Sequence, residues 1–223
     1  MENSSTKRLT TLAMLTAMAF MVGAVLQIRG AFPAAAHLTY DPKDVVILIG
    51  GFMFGPIAAL LMSFIVALLE MSTVSVTGIV GAFMNFASSA ALTCTAAFIY
   101  SKRRNMGGAV LGLAVGCIFA TAVMIVLNYF ITPLFFDFVT HEAVIELIVP
   151  VLLPFNLIKT SLNSVLAIVL YKRVTVALYA AGLYKETTLQ KESGFSKQKA
   201  LIVISLVIAV SLAVLLIYMA DIF

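Results

Sequence analysis

The chain has 223 residues, of which 62% are hydrophobic and 11% charged, and its mean hydropathy is +1.11. A soluble domain carries about 45–50% apolar and about 25% charged residues, so this composition excludes a water-soluble globular protein and makes lipid the solvent for most of its surface. Fourteen basic and ten acidic residues leave a formal charge of +4; here the placement of Lys and Arg speaks to orientation in a membrane, not to nucleic-acid binding.

The first apolar run, Leu9–Ile28, follows Lys7–Arg8. At about 20 residues it exceeds the apolar region of a signal peptide and reads as a transmembrane helix. The next block, Asp44–Met71, is interrupted at Gly55–Pro56 and predicts two short helices, 44–54 and 56–71. Each is too short to cross about 30 Å of hydrocarbon squarely, which suits broken helices packed on protein or lining a cavity. A fourth helix is expected over 79–101, stopping at Lys102–Arg103–Arg104, and a fifth over 108–131, ending at Thr132–Pro133. Phe135–Glu146 reads as a loop. A sixth helix is expected over 149–171, with Pro150 and Pro154 in its first turns, where proline costs least, and Lys172–Arg173 at its end. Residues 176–199, polar from 182 onward, read as a cytoplasmic linker, and Ala200–Ala220 as a further span. The expected fold is therefore all-α and polytopic: a six-helix membrane domain over 1–175, the linker, and an extra transmembrane helix within 200–223.

Eleven of the fourteen basic residues fall on one side of this scheme: Lys7, Arg8, Lys102, Arg103, Arg104, Lys172, Arg173, Lys185, Lys191, Lys197 and Lys199. The positive-inside rule makes that side, and the N-terminus, cytoplasmic. The outer half holds Arg29, Lys43, Lys159, Asp41, Asp44, Glu70, Asp137, Glu142 and Glu146.

Among these, Lys159 is the sharpest signal. A lysine at membrane depth costs about 2.5–3.5 kcal/mol on insertion scales unless it meets a partner or a cavity. Asn156, Lys159, Thr160 and Asn163 recur at helical spacing and share one face. The alternative is a lysine snorkelling outward and an Asn163 that bonds a neighbouring helix. Thr121, Met124, Asn128 and Thr132 form a second stripe, on the fifth helix; Asn128 offers a donor and an acceptor, which suits a heterocycle edge. At the outer mouth, Thr39, Tyr40, Asp41 and Asp44 precede the short helix, with Asp44 read as its cap and Asp41 as a ligand contact. Glu70 and Asn85 could line the same cavity, and Tyr40, Phe83, Tyr129 and Phe155 could supply stacking faces for a flat ring.

Catalysis and metal binding find little support. Cys94, Cys117, His37 and His141 are isolated, and no nucleotide-binding P-loop, HExxH or GxSxG motif is present. The expectation is a non-enzyme with no metal and no covalently bound cofactor.

Tyr40–Asp41–Pro42–Lys43–Asp44, Phe54–Gly55–Pro56, Met84–Asn85–Phe86, Leu127–Asn128–Tyr129–Phe130 and Pro154–Phe155–Asn156–Leu157–Ile158–Lys159 occur in this order, together with Ala13-xxx-Ala17. Over residues 7–175 the chain resembles the substrate-binding S components of energy-coupling factor (ECF) transporters, closest to the riboflavin-specific branch. The resemblance implies a six-helix protein of the bacterial cell membrane with a vitamin site open to the outside. Riboflavin would be its transported ligand, with Asn128, Asn156 and Lys159 on the polar edge of the isoalloxazine ring and Asp41 and Thr39 at the ribityl chain. The Ala13/Ala17 face would dock on a transmembrane coupling protein that works with two ATPase subunits. Two features depart from the pattern: Glu70, where a basic or neutral residue is more readily expected, and the span at 200–220. Rival readings are an S component for another vitamin and a stand-alone proton-coupled transporter. The second needs a titratable relay, and the cytoplasmic half lacks intramembrane carboxylates.

Overall fold

A computed structural model of the protein describes residues 4–29, 38–73, 78–135 and 139–183. The expected span at 200–220 lies outside the described residues, as do His37 and Asp137.

The architecture is all-α. Helix α1 (Ser4–Val25) leads to a two-residue antiparallel ladder, β1 (Ile28–Arg29) with β2 (Thr39–Tyr40), which pairs Ile28 with Tyr40 and Arg29 with Thr39. Then come α2 (Lys43–Phe54), α3 (Pro56–Thr73), α4 (Gly78–Lys102), α5 (Met106–Phe135), α6 (His141–Leu147), a π-helical turn (Ile148–Leu152) and α7 (Leu153–Ala180). Five helical stretches among the described residues are long and apolar enough to cross a membrane: Ser5–Val25, Pro56–Thr73, Gly78–Lys102, Met106–Phe135 and His141–Ala180. Helix α2 is the short exception, and it is buried along almost its whole length. Its apolar run is thus a core signal, not a lipid-facing one.

The break between α2 and α3 falls at Gly55–Pro56 as the sequence predicts. Gly55 takes φ +96°, a conformation open to glycine at little cost, and Pro56 opens the next helix. The small-residue stripe Gly112-xxx-Gly116 is where α5 lies against α4. A methyl group at either position would meet the backbone oxygen of Ala96 or Leu92 at 2.7 and 2.8 Å. Bare backbone here lets the two helices approach closely.

Three expected boundaries are corrected. Helix α5 does not end at Thr132–Pro133 but runs through Pro133 to Phe135. Proline cannot donate to the carbonyl four residues back, that of Tyr129; His141 Nδ1 lies 3.0 Å from that oxygen and supplies the bond. The expected loop Phe135–Glu146 contains α6, whose first turn is capped by Thr140 Oγ1 accepting from the Ala143 N–H at 3.2 Å. Finally, the last helix passes Lys172–Arg173 and continues to Ala180, because Thr175 and Leu178 are buried against the bundle. Its start is widened: Pro150 and Pro154 each lack an N–H, and the chain passes Pro150 in a π turn, Ile148–Leu152, before Pro154 in the first turn of α7.

One end of the bundle is tied together by Arg8 donating to the Phe54 carbonyl, Thr11 donating to the Leu183 carbonyl, and Phe52 packing on Tyr100 and Tyr171. Lys102 and Arg103 stand at this end too, where α4 turns into α5. At the other end, Leu38, Val144, Val151, Leu152 and Phe155 form a small apolar cluster flanked by Tyr129. The polar residues lie between.

Candidate ligand-binding site

Five charged side chains are buried among the described residues: Asp41, Lys43, Asp44, Glu70 and Lys159. They come from the loop before α2, from α2, α3 and α7, and they are woven into one network. Lys159, 5% exposed, donates from Nζ to Asp41 Oδ2 at 3.1 Å. That excludes the snorkelling alternative, since the ammonium is spent on a carboxylate inside the protein. Lys43 Nζ lies 2.5 Å from Glu70 Oε2 and 3.7 Å from Asp41 Oδ1. Asn85 Nδ2 donates to the same Glu70 oxygen at 3.4 Å.

Asp44 does not cap α2, contrary to expectation. The residue before the helix is Pro42, with no side-chain cap bond, and Asp44 instead accepts from Ser89 Oγ on α4 at 2.5 Å and from Asn163 Nδ2 on α7 at 3.3 Å. Asn163 Nδ2 also reaches the Asp41 backbone carbonyl at 3.1 Å, and its Oδ1 accepts from the Tyr40 hydroxyl at 3.0 Å. A segment of five residues, 40–44, is in this way fixed to α3, α4 and α7.

Burial, then the carboxylates of Asp41 and Asp44, push the Tyr40 phenol up to about 12, so it remains a donor. For Asp41, burial acts to raise the carboxyl, but the ammonium groups of Lys159 and Lys43 overcome it and hold the group below the usual carboxylate range. Asp41 is ionised. Its Oδ1 is nevertheless a buried oxygen without a hydrogen-bond partner among the described residues.

The two amides of the predicted site are also buried. Asn128 donates from Nδ2 to the Met124 carbonyl at 2.8 Å and accepts from Thr132 Oγ1 at 3.2 Å. Asn156 donates to the Leu152 carbonyl at 2.7 Å, at the end of the π turn. A contact between Cys117 and Ser164 fixes the relative height of α5 and α7. Counting outward at 1.5 Å per residue, Asn128 lies about 16 Å, Asn156 about 12 Å and Lys159 about 7.5 Å beyond that level. The three therefore fall within about two turns in depth.

Of the remaining predicted residues, Thr39 and Tyr40 are half-buried in β2, and Tyr129 stacks against His141 and Phe130 beside the apolar cluster. Phe83 stands outward, 49% exposed, away from the role of a stacking face. Ala13 and Ala17 are exposed on α1, so that stripe is not used for packing among the described residues, unlike Gly112-xxx-Gly116. Sequence reasoning passed over Lys43 and Ser89. The signal for Lys43 was present: a lysine that, with Asp44, opens a helix apolar from Val45 onward.

An all-helical membrane bundle with an internal polar network under the segment 40–44 has a family. Residues 7–171 match the model of the substrate-specific component of ECF transporters, and the chain belongs to that family. It is a multi-pass membrane protein and the substrate-specific part of a transporter. The chain is 34% identical over 176 residues to the riboflavin transporter RibU of Staphylococcus aureus (strain TCH60), covering 75% of this chain and 90% of that protein. It is also similar to a solved structure described as "Structure and mechanism of the S component of a bacterial ECF transporter", with a TM-score of 0.67 and 32% identity, over 78% of this chain and 98% of that one.

Proposed function

We propose that the protein is the riboflavin-binding S component of an ECF-type vitamin uptake transporter, with no catalytic chemistry of its own. The observation that carries this reading is the 34% identity to a riboflavin transporter across 90% of that protein's length. The chemistry of the polar network agrees. Two ammonium groups and three carboxylates nearly cancel, which suits a neutral, hydroxylated ligand; a flavin phosphate would call for surplus positive charge and favour an Arg fork.

In this reading Asn128 and Asn156 exchange their present partners for the polar edge of the flavin ring, Lys159 joins them with an ammonium N–H not given to Asp41, and Tyr129 contributes an aromatic face. Asp41, Thr39 and Tyr40 meet the ribityl hydroxyls. Glu70 and Asn85 serve the site through Lys43. The exposed Ala13/Ala17 face docks on the transmembrane coupling protein, and two ATPase subunits supply the energy, since this chain has no P-loop. The end bearing Arg8, Lys102 and Arg103, and with it the N-terminus, faces the cytoplasm of a bacterial cell. The vitamin-binding domain runs to the end of α7 at Ala180, past the expected boundary at 175, with a linker after it and an added membrane helix within 200–223.

Riboflavin fluorescence titrated with purified protein tests the reading. Quenching with one site per chain is expected, and Asn128→Ala should weaken it. Unquenched flavin at saturating folded protein would overturn it.

A further inference from the structure

Lys43 Nζ stands between two carboxylates and is shared unequally. It is hydrogen-bonded to Glu70 Oε2 at 2.5 Å, while Asp41 Oδ1 at 3.7 Å is within ion-pair range but beyond hydrogen-bond reach. The Asp41 carboxylate is consequently divided. Oδ2 is taken by Lys159 at 3.1 Å, whereas Oδ1 has no donor among the described residues although Asp41 is only 4% exposed. A buried carboxylate oxygen left in this way is costly, and the donor that could satisfy it is less than about 1 Å too distant.

Glu70 is what keeps it there. The carboxylate is held by Asn85 on α4, and α1 closes over the pair. A Cβ at Gly23 would come within 2.9 Å of Glu70 Oε1 and 3.2 Å of Lys43 Cβ. Glycine at that position lets α1 pack closely against both side chains at the level of the Lys43 Cβ, well back from the ammonium.

We propose that Glu70 is a positioning residue that holds Lys43 away from Asp41, so that Asp41 Oδ1 remains the acceptor for a hydroxyl on the ligand's sugar-alcohol chain. The inference rests on the riboflavin reading above and deepens it. Glu70 touches no ligand; it decides which donor Asp41 meets. Freed from Glu70, Lys43 closes on Oδ1 and competes with the ribityl hydroxyl.

The test compares riboflavin with lumiflavin, which has the same ring system and no ribityl hydroxyls, by fluorescence titration of the full chain. Glu70→Gln should weaken riboflavin binding about tenfold, the worth of one well-placed hydrogen bond, with a much smaller change for lumiflavin. Adding Lys43→Met to Glu70→Gln removes the competing ammonium and should recover most of the loss. A merely structural role for Glu70 would weaken both ligands alike and would give no rescue; either result overturns the proposal, as does an unchanged riboflavin affinity in Glu70→Gln. Should Glu70→Gln fail to fold, the double variant decides. It must still prefer riboflavin over lumiflavin as the unmodified protein does, and loss of that preference overturns the proposal. If the unmodified protein binds neither flavin, the riboflavin reading itself has failed.

Discussion

Lys159 and Asp41 meet across 118 residues of sequence at 3.1 Å, both nearly inaccessible. A buried pair of this kind contributes little net stability, yet removing one partner leaves an uncompensated charge that costs about 3–5 kcal/mol. Lys159→Ala should therefore lower unfolding stability in detergent by about that amount as well as weakening flavin binding. The double variant Lys159→Met with Asp41→Asn should be closer to the unmodified protein in stability, which urea unfolding followed by circular dichroism can check. Lys159 was legible in the sequence because a lysine inside an apolar helix needs a partner. Its partner was not, since nothing along the chain says which carboxylate folds back over 118 residues. The same limit explains Asp44. Its place in the first turn of α2 reads as a cap, and only the packed α4 and α7 reveal Ser89 and Asn163 as its real neighbours.

Helix boundaries show where local rules hold and where tertiary contacts override them. The Gly55–Pro56 break was readable because both residues act on the backbone locally. Pro133 was misread as an end because the donor that rescues the Tyr129 carbonyl, His141, comes from a different helix. Small-residue stripes were readable as patterns but not as partners. Gly112-xxx-Gly116 meets α4 within the chain, whereas Ala13 and Ala17 remain exposed. Opposite outcomes follow for the two stripes. Gly112→Val, which would drive a side chain into the Ala96 carbonyl, should destabilise the fold by about 1–3 kcal/mol or more through overpacking, measured by thermal unfolding. Ala13→Leu with Ala17→Leu should leave folding and flavin binding intact while abolishing uptake in cells that carry the coupling module. Loss of binding in that variant would mean the stripe serves the fold instead.

At the scale of the whole molecule, the scarcity of charge organises the protein. Basic residues gather at one end, where Arg8 also joins α1 to the α2–α3 break, and the five buried charges pin segment 40–44 across α3, α4 and α7. Single cysteines in a background lacking Cys94 and Cys117 would read the orientation. A thiol at Ser101, beside the basic cluster, should react with an impermeant reagent only from the cytoplasmic side of sealed vesicles. The central claim, that the polar network under segment 40–44 receives riboflavin, is tested most directly by calorimetric titration of riboflavin into the purified full-length chain. Binding at one site per chain, weakened at least tenfold by Asn156→Ala or Lys159→Ala in folded protein, is the predicted result. Saturable binding that neither substitution alters, or no binding heat and no fluorescence quenching at any protein concentration, would contradict it.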